Sequence, residues 1–488
     1  MTPLQTSLAN QSTTLLADHA QNPMFPNSSA SKEYWATYPN SFLLHRSLHE
    51  RPLVPISASK HMIYLQNGQS ILDACGGAAV ANIGYGNSEV LDAISAQASC
   101  VSYIHTMLYT TPVAEELANL IVKDSPGGLS KAYFVGSGSE AMDSAMKLAR
   151  QYFFEQGEVQ RTHFIARRQS YHGNTIGSMS LSSNLGRLVP YKPIRLPNVS
   201  LVSPCYPYQY QREEESETDY VERLAHELEA EFQRVGPANV IAFVLEPIVG
   251  ATSGCNTDVP GYLTAMKTIC QKYGALLIMD EVMCGMGRSG TMFAWEHEGV
   301  AGDIVTIGKG LSGGYANIAG ILIASHIIDV LDAGTGSFNH GHTYQAHPPS
   351  CAAALAVQKI VQREKLVSRC KEMGEELHRM LQEALGEEKY IGDIRRRGLF
   401  YAIEFVRDRK IKESFDPGAK VGPRVQMRAL DLGVAIYPGT GTVDGVVGDH
   451  VLLAPPFTIT IEEIKHIVRT LATAYRDVME DLVQEGFL

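Results

Sequence analysis

Between about residue 95 and residue 344, short apolar runs alternate with stretches of helical periodicity. The runs are KAYFV, THFIA, NVIAFVLE, ALLIMD, DIVTI and IAGILIA; among them lie SEAMDSAMKLARQYF and PGYLTAMKTICQKYG, whose apolar residues recur every three or four positions. Continuous apolar runs suit strands buried on both faces, and the intervening helices supply the cover. The pattern therefore predicts an α/β fold with a mostly parallel central sheet. Chemistry on such a sheet collects at the carboxyl ends of the strands. The flanks differ: HMIYLQNGQSILDA holds short strands, and residues 345–488 mix several helices with strands such as RGLFYAIEFV. The expected organisation is a polar, flexible arm over 1–35, a large domain over 96–344, and a smaller α+β domain built from 36–95 and 345–488.

Bulk properties narrow the function. The chain has 488 residues, 45% hydrophobic and 19% charged, enough for two or three domains with substantial cores. Its formal net charge is −11 with no long basic run, so neither nucleic acid nor an anionic membrane has electrostatic support as a partner. A small-molecule substrate is the default. The longest apolar stretches are too short to span a bilayer. Eight cysteines lack CxxC or CxxxC spacing, which argues for reduced thiols rather than a zinc site or disulfide framework. The N-terminal stretch has neither the pattern of a signal peptide nor that of a transit peptide, its first arginine being Arg46, so a cytoplasmic location is expected.

Several segments carry candidate chemistry. TIGKGLSGGYA sets Lys309 between two glycines just after an apolar run. A phosphate-binding P-loop is excluded there, because Gly302 is one residue too far from Gly308 and Gly310 stands where Ser or Thr is required. A solvated lysine in a turn and a lysine bound to a carbonyl cofactor both remain. In FVGSGSEAMDSAMKLAR, a strand turns through Gly136, Ser137, Gly138 and Ser139 into a helix, which makes an anion site, although Ser137 and Glu140 also have capping-box spacing. DEVMCGMGRSG places Asp280 and Glu281 at the end of a buried strand; an acid there is either a helix cap or loop charge or, if held in apolar surroundings, is best explained by a cationic partner such as a protonated pyridine nitrogen. SYHGNTIG supplies Tyr171, His172 and Gly173, an aromatic face for a ring or a purely structural turn. FNHGHTYQAHPPS carries Thr343 among histidines; His340 and His342 lack a nearby acidic third ligand, so no metal is expected.

Taken in order, SGSEA, YHG, EPIVG, DEV-x-CG-x-GR-x-G, GKGLSGG, HGHTY-x-x-HP and RRRGLF resemble the class III, fold-type I, pyridoxal-phosphate-dependent aminotransferases, the family of the ω-amine transaminases and ornithine aminotransferase. The resemblance covers nearly the whole chain from about residue 40. It implies pyridoxal 5′-phosphate as cofactor, with Lys309 attaching it and later moving the proton. Asp280 would pair with the pyridine nitrogen, and Val282 and Tyr171 would flank the ring. Gly138 and Ser139 would hold the phosphate, with Ser137, His172 and Glu246 among the cofactor contacts. Thr343 would come from the neighbouring subunit, which implies a homodimer with shared active sites. The implied reaction moves an amino group from a primary amine or amino acid to a keto acid through pyridoxamine phosphate. An aminomutase, racemase or decarboxylase of the same fold would keep the same lysine and aspartate. Two departures bear on substrate. Met283 stands where ornithine-type enzymes have glutamine, and Ala251 where they have a glutamate that pairs with the carboxylate-binding arginine. Arg395, in IGDIRRRGLF, aligns with that arginine, and YPGTGTVDGVVGDHVLLAPP offers no other. Arg395 is therefore the expected substrate-carboxylate ligand, unless it, Arg396 and Arg397 are surface charges.

Overall fold

The computed structural model describes residues 41–123, 125 and 127–488. The arm expected over residues 1–35 lies outside the described residues. The large sheet has seven strands in the order Leu129–Val135, Ala319–Ala324, Ile304–Ile307, Leu276–Asp280, Val240–Leu245, His163–Arg167 and Val199–Val202. Ala319–Ala324 runs antiparallel to both of its neighbours, and every other pairing is parallel. Six strands coincide with the apolar runs. The seventh, Val199–Val202, is a half-buried edge strand whose VSLV has no continuous apolar run to announce it.

Helices cover both faces because the strands are apolar on both. On one side, Gly138–Glu155 buries Ala141, Ala145, Leu148 and Ala149 against Val135, Val244, Ile278 and Ile321. On the other, Leu224 and Leu228 from Glu217–Val235 and Met266 from Tyr262–Lys272 join Phe243, Leu245, Leu277 and Met279. The alternation of faces along each strand places both sets in separate cores.

The two ends of the chain share a third core. Strands Pro55–Ser59, Met62–Leu65 and Ser70–Asp73 form a sheet completed by Val434–Ala435, parallel to Ser70–Asp73. A second sheet runs Ile391–Arg397, Phe400–Phe405, Asp449–Leu453 and Tyr437–Thr440. Leu72, Ala74 and Val90 pack in one cluster with Leu377, Tyr401, Phe405, Val451 and Leu471. The division expected at residue 95 falls inside helix Ser88–Cys100, and helix Pro348–Arg363 contributes to cores of both regions. Among the described residues no helix is long and apolar enough to cross a membrane.

Candidate active site

A cavity of about 510 Å³ opens at the carboxyl ends of Leu129–Val135, Leu276–Asp280 and Ile304–Ile307. Ser137, Gly138, Ser139, Tyr171, His172, Glu246, Asp280, Val282 and Lys309 all line it. Residues spread over more than 170 positions of sequence meet there because each follows the end of a strand or its first turn.

At one end of the cavity, Ser137 caps helix Gly138–Glu155, its hydroxyl accepting from the Glu140 N–H at 3.3 Å. The first intrahelical bond is Ala141 N–H to Ser137 O at 2.9 Å, so the N–H groups of Gly138 and Ser139 precede the ladder and stay available to an anion. Glu140 does not close a capping box; its carboxylate lies 3.3 Å from His342 Nε2. Gly173 closes the turn opposite. Its φ of +138° and the 2.9 Å that would separate an added Cβ from Ser139 Cα leave glycine the only fit. Asn174 fastens the contact, its N–H donating to Ser139 Oγ at 3.0 Å.

Asp280 lies on the floor. Its Oδ2 accepts from His172 Nδ1 at 2.8 Å, and its Oδ1 accepts from the Thr306 hydroxyl at 3.0 Å and the Val282 N–H at 3.1 Å. Thr306 is in reach because the parallel register pairs it with Asp280 across neighbouring strands. Glu246 is buried and accepts from the N–H groups of Tyr171 and Gly250 at 3.0 and 3.1 Å. Burial raises its pKa, opposed by His172 and reinforced by Asp280. Glu281, expected at the same strand end, turns away into the core. It accepts from Ala294 and Trp295 N–H at 2.7 and 2.8 Å, and burial pushes it up to about 8.

Lys309 follows Ile304–Ile307 with φ +43°, a left-handed conformation uncommon for a side-chain-bearing residue and one that clusters at functional turns. The turn is held from outside the strand. The Asn82 amide donates to Gly310 O at 2.9 Å, and Gln358 donates to Gly310 O and Leu311 O at 3.0 and 2.7 Å. Burial pulls the Lys309 ammonium below its ordinary pKa, while Asp280 and Glu246 act in the opposite direction. Val282 fills the gap between the two ends of the site: an added Cβ would lie 2.9 Å from its Cγ1 at Gly138 and 3.2 Å at Gly308.

Other candidates lie elsewhere. Thr343 is exposed and outside the lining. His340 is engaged by Ser144 Oγ at 2.9 Å and Lys147 Nζ at 2.7 Å. Arg395, the expected carboxylate ligand, is placed apart from the cavity. It is buried outside the lining, and all five N–H donors are directed at protein oxygens: Gly254 O, Ser253 O, Glu404, Asp393 and the Tyr206 hydroxyl. Ala251 indeed offers it no carboxylate, but Glu404, at 2.6 Å on the adjacent strand, does. An incoming carboxylate would have to displace that buried pair. Thr306, Asn82 and Gln358 are contributors that no motif announced, because each acts through contacts remote in sequence.

The residues present fit pyridoxal 5′-phosphate. Free helical N–H groups suit its phosphate, Asp280 suits its ring nitrogen, and a lysine depressed by burial suits its carbonyl. Comparisons with known proteins agree. The family described as aminotransferase class-III matches residues 45–475. An uncharacterised aminotransferase of Schizosaccharomyces pombe is 47% identical over 88% of this chain and 94% of its own length. The uncharacterised aminotransferase YodT of Bacillus subtilis is 36% identical over 91% of this chain and all of its own. Among solved structures, an (S)-enantioselective ω-transaminase from Thermomicrobium roseum superposes with TM-score 0.84 at 32% identity, covering 92% of this chain and 98% of that one. The ω-transaminase from Pseudomonas jessenii in complex with PMP gives 0.84 at 30% identity, over 92% and 98%. The chain belongs to the class III aminotransferases, fold-type I enzymes that use pyridoxal phosphate to move amino groups from amines or amino acids to keto acids.

Proposed function

We propose that Lys309 is the catalytic residue of this aminotransferase and that Asp280, Val282, Tyr171, His172, Glu246 and the Ser137–Ser139 turn hold its cofactor. The observation that carries this is the placement of Lys309 and Asp280 in one cavity with the free N-terminus of helix Gly138–Glu155. When bound, pyridoxal phosphate supplies an electrophilic carbonyl and an electron-withdrawing ring. The first-turn N–H groups and Ser139 hold the phosphate end. Asp280 keeps a proton on the ring nitrogen, and its own orientation is set by His172 and Thr306. Val282 and Tyr171 fix the plane of the ring. Lys309, poised toward its neutral form by burial, takes the proton from the substrate carbon and returns it at the neighbouring position. Glu246 positions Tyr171 through its backbone N–H.

The chain is proposed to act as a homodimer in which Thr343 reaches the partner's phosphate. In support, Thr343 is exposed beside an apolar surface: Tyr103 packs edge-on to Tyr344 with ring centroids 5.8 Å apart, and Met107 and Leu108 are 80% and 78% exposed. A cytoplasmic location is proposed from the eight free cysteines. The test of the site is reduction of the holoenzyme with borohydride followed by peptide mapping. Cofactor mass on the peptide bearing Lys309 supports the assignment; cofactor fixed on another lysine, or none fixed, overturns it.

A further inference from the structure

With Arg395 committed to Glu404, the cavity needs another cation for a substrate carboxylate. Two arginines line it, Arg187 and Arg46. Arg46 lies in a stretch, 41–54, with neither helix nor strand. Arg187 is held from three sides. Its short helix Leu185–Leu188 is anchored by buried Leu188, and Leu185 packs on the 441–448 loop, where a Cβ added to Gly445 would lie 2.9 Å from Leu185 Cγ. Its guanidinium carbon stands 5.2 Å from the centroid of the Tyr171 ring. Among the described residues that guanidinium makes no hydrogen bond and no ion pair.

We propose that Arg187 is the specificity-determining residue that receives the carboxylate of amino acid and keto acid substrates, an assignment that rests on the cavity being the aminotransferase active site. A guanidinium held over an aromatic ring by a cation–π contact keeps its N–H groups free for bidentate pairing with a carboxylate. Tyr171 therefore serves two neighbours, the cofactor ring and the arginine, and sets the distance between them. Arg187 also faces the same space as Lys309, whose pKa it helps to lower. Its positive charge offsets Asp280 and Glu246, whose carboxylates would otherwise repel an acidic substrate. The short helix that carries the arginine belongs to the sheet domain, yet it touches the C-terminal part through Leu185, so the carboxylate is bound at the seam between the two.

The test titrates holoenzyme calorimetrically with glutarate, an unreactive dicarboxylate, in the wild type, Arg187→Gln and Arg46→Gln. Half-reactions with an amino acid and with a simple amine of matching length that lacks a carboxylate follow loss of the cofactor's visible band. Arg187→Gln is expected to weaken glutarate binding by about 10- to 100-fold, the worth of a charge-assisted pair, and to raise the half-saturating amino acid concentration similarly. The simple amine should lose at least tenfold less than the amino acid, the shared part of the loss reflecting the influence of Arg187 on Lys309, and Arg187→Lys should restore part of the amino acid's loss. Unchanged glutarate affinity, loss in Arg46→Gln instead, or equal losses for amine and amino acid would overturn the proposal. If glutarate binding depends on Arg187 while no donor bleaches the wild type, the carboxylate site stands and the aminotransferase reading falls. If amino acid donors bleach Arg187→Gln as readily as the wild type, the aminotransferase reading stands and the carboxylate site falls.

Discussion

Asp280→Asn keeps the shape of a side chain that is 5% exposed and removes one negative charge from the floor of the cavity. Its Oδ1 can still accept from Thr306 and Val282, so the strand end should hold. The opposite atom becomes a donor facing His172 Nδ1, which forces the imidazole proton onto Nε2, an atom without a partner among the described residues. The fold should therefore survive, and the loss should fall on chemistry. A charge pair at hydrogen-bond distance, about 3 Å, is worth about 5 kcal/mol at an effective dielectric of about 20, or roughly four powers of ten in rate. A hydrogen bond to a charged group, about 1.5–3 kcal/mol, sets the lower end at about 10- to 100-fold. The assay is single-turnover proton removal with a donor deuterated at its reacting carbon. A fall of about 10² to 10⁴ with an undiminished isotope effect is expected. A variant within about threefold of wild type would refute the pairing of Asp280 with the ring nitrogen.

Lys309→Ala should leave a folded, cofactor-binding protein with turnover lower by orders of magnitude, and partial rescue by added small amines would confirm a lost base rather than a lost fold. Thr343→Ala should weaken cofactor retention by about 1.5–3 kcal/mol, measured by equilibrium dialysis; a monomer with full activity would contradict the shared site. His450 is fully buried, bonded to Thr442 Oγ1 at 2.7 Å, and burial with Arg395 nearby drives it down to about 3. The unfolded chain takes up this proton below about 6.5 and the folded chain does not, so the stabilising contribution present above 6.5 is lost as pH falls toward 3. That gap is worth on the order of 4–5 kcal/mol, and denaturant titrations of His450→Asn should show a shallower acid slope than wild type.

Much of this is legible in the sequence, for reasons that can be located. ALLIMD and NVIAFVLE are apolar on both faces, which a sheet covered on both sides satisfies, and both form central strands. Lys309 and Asp280 stand out as charges at the ends of such runs, where burial is costly without a partner. Val199–Val202 escapes because an edge strand needs only partial burial. Thr306, Asn82 and Gln358 escape because their bonds to Asp280 Oδ1 and to the Lys309 turn depend on register and on helix placement. The pairing of Arg395 escapes for a related reason. Its partner Glu404 sits on the next strand of a hairpin whose register pairs Arg395 with Ala402, and a motif cannot show which side chains that register brings together.

The central claim is transfer of an amino group to a second molecule through one site per subunit built on Lys309. It is tested most directly by mixing pure holoenzyme with a single amino donor and no acceptor, then adding a keto acid. Loss of the visible band and release of carbonyl product, each in one equivalent per subunit, with both the band and a new amino acid restored by the keto acid and all of it absent in Lys309→Ala, is the predicted result. Repeated turnover of the donor without any acceptor would contradict it, because the amino group would then be returning to the molecule it left.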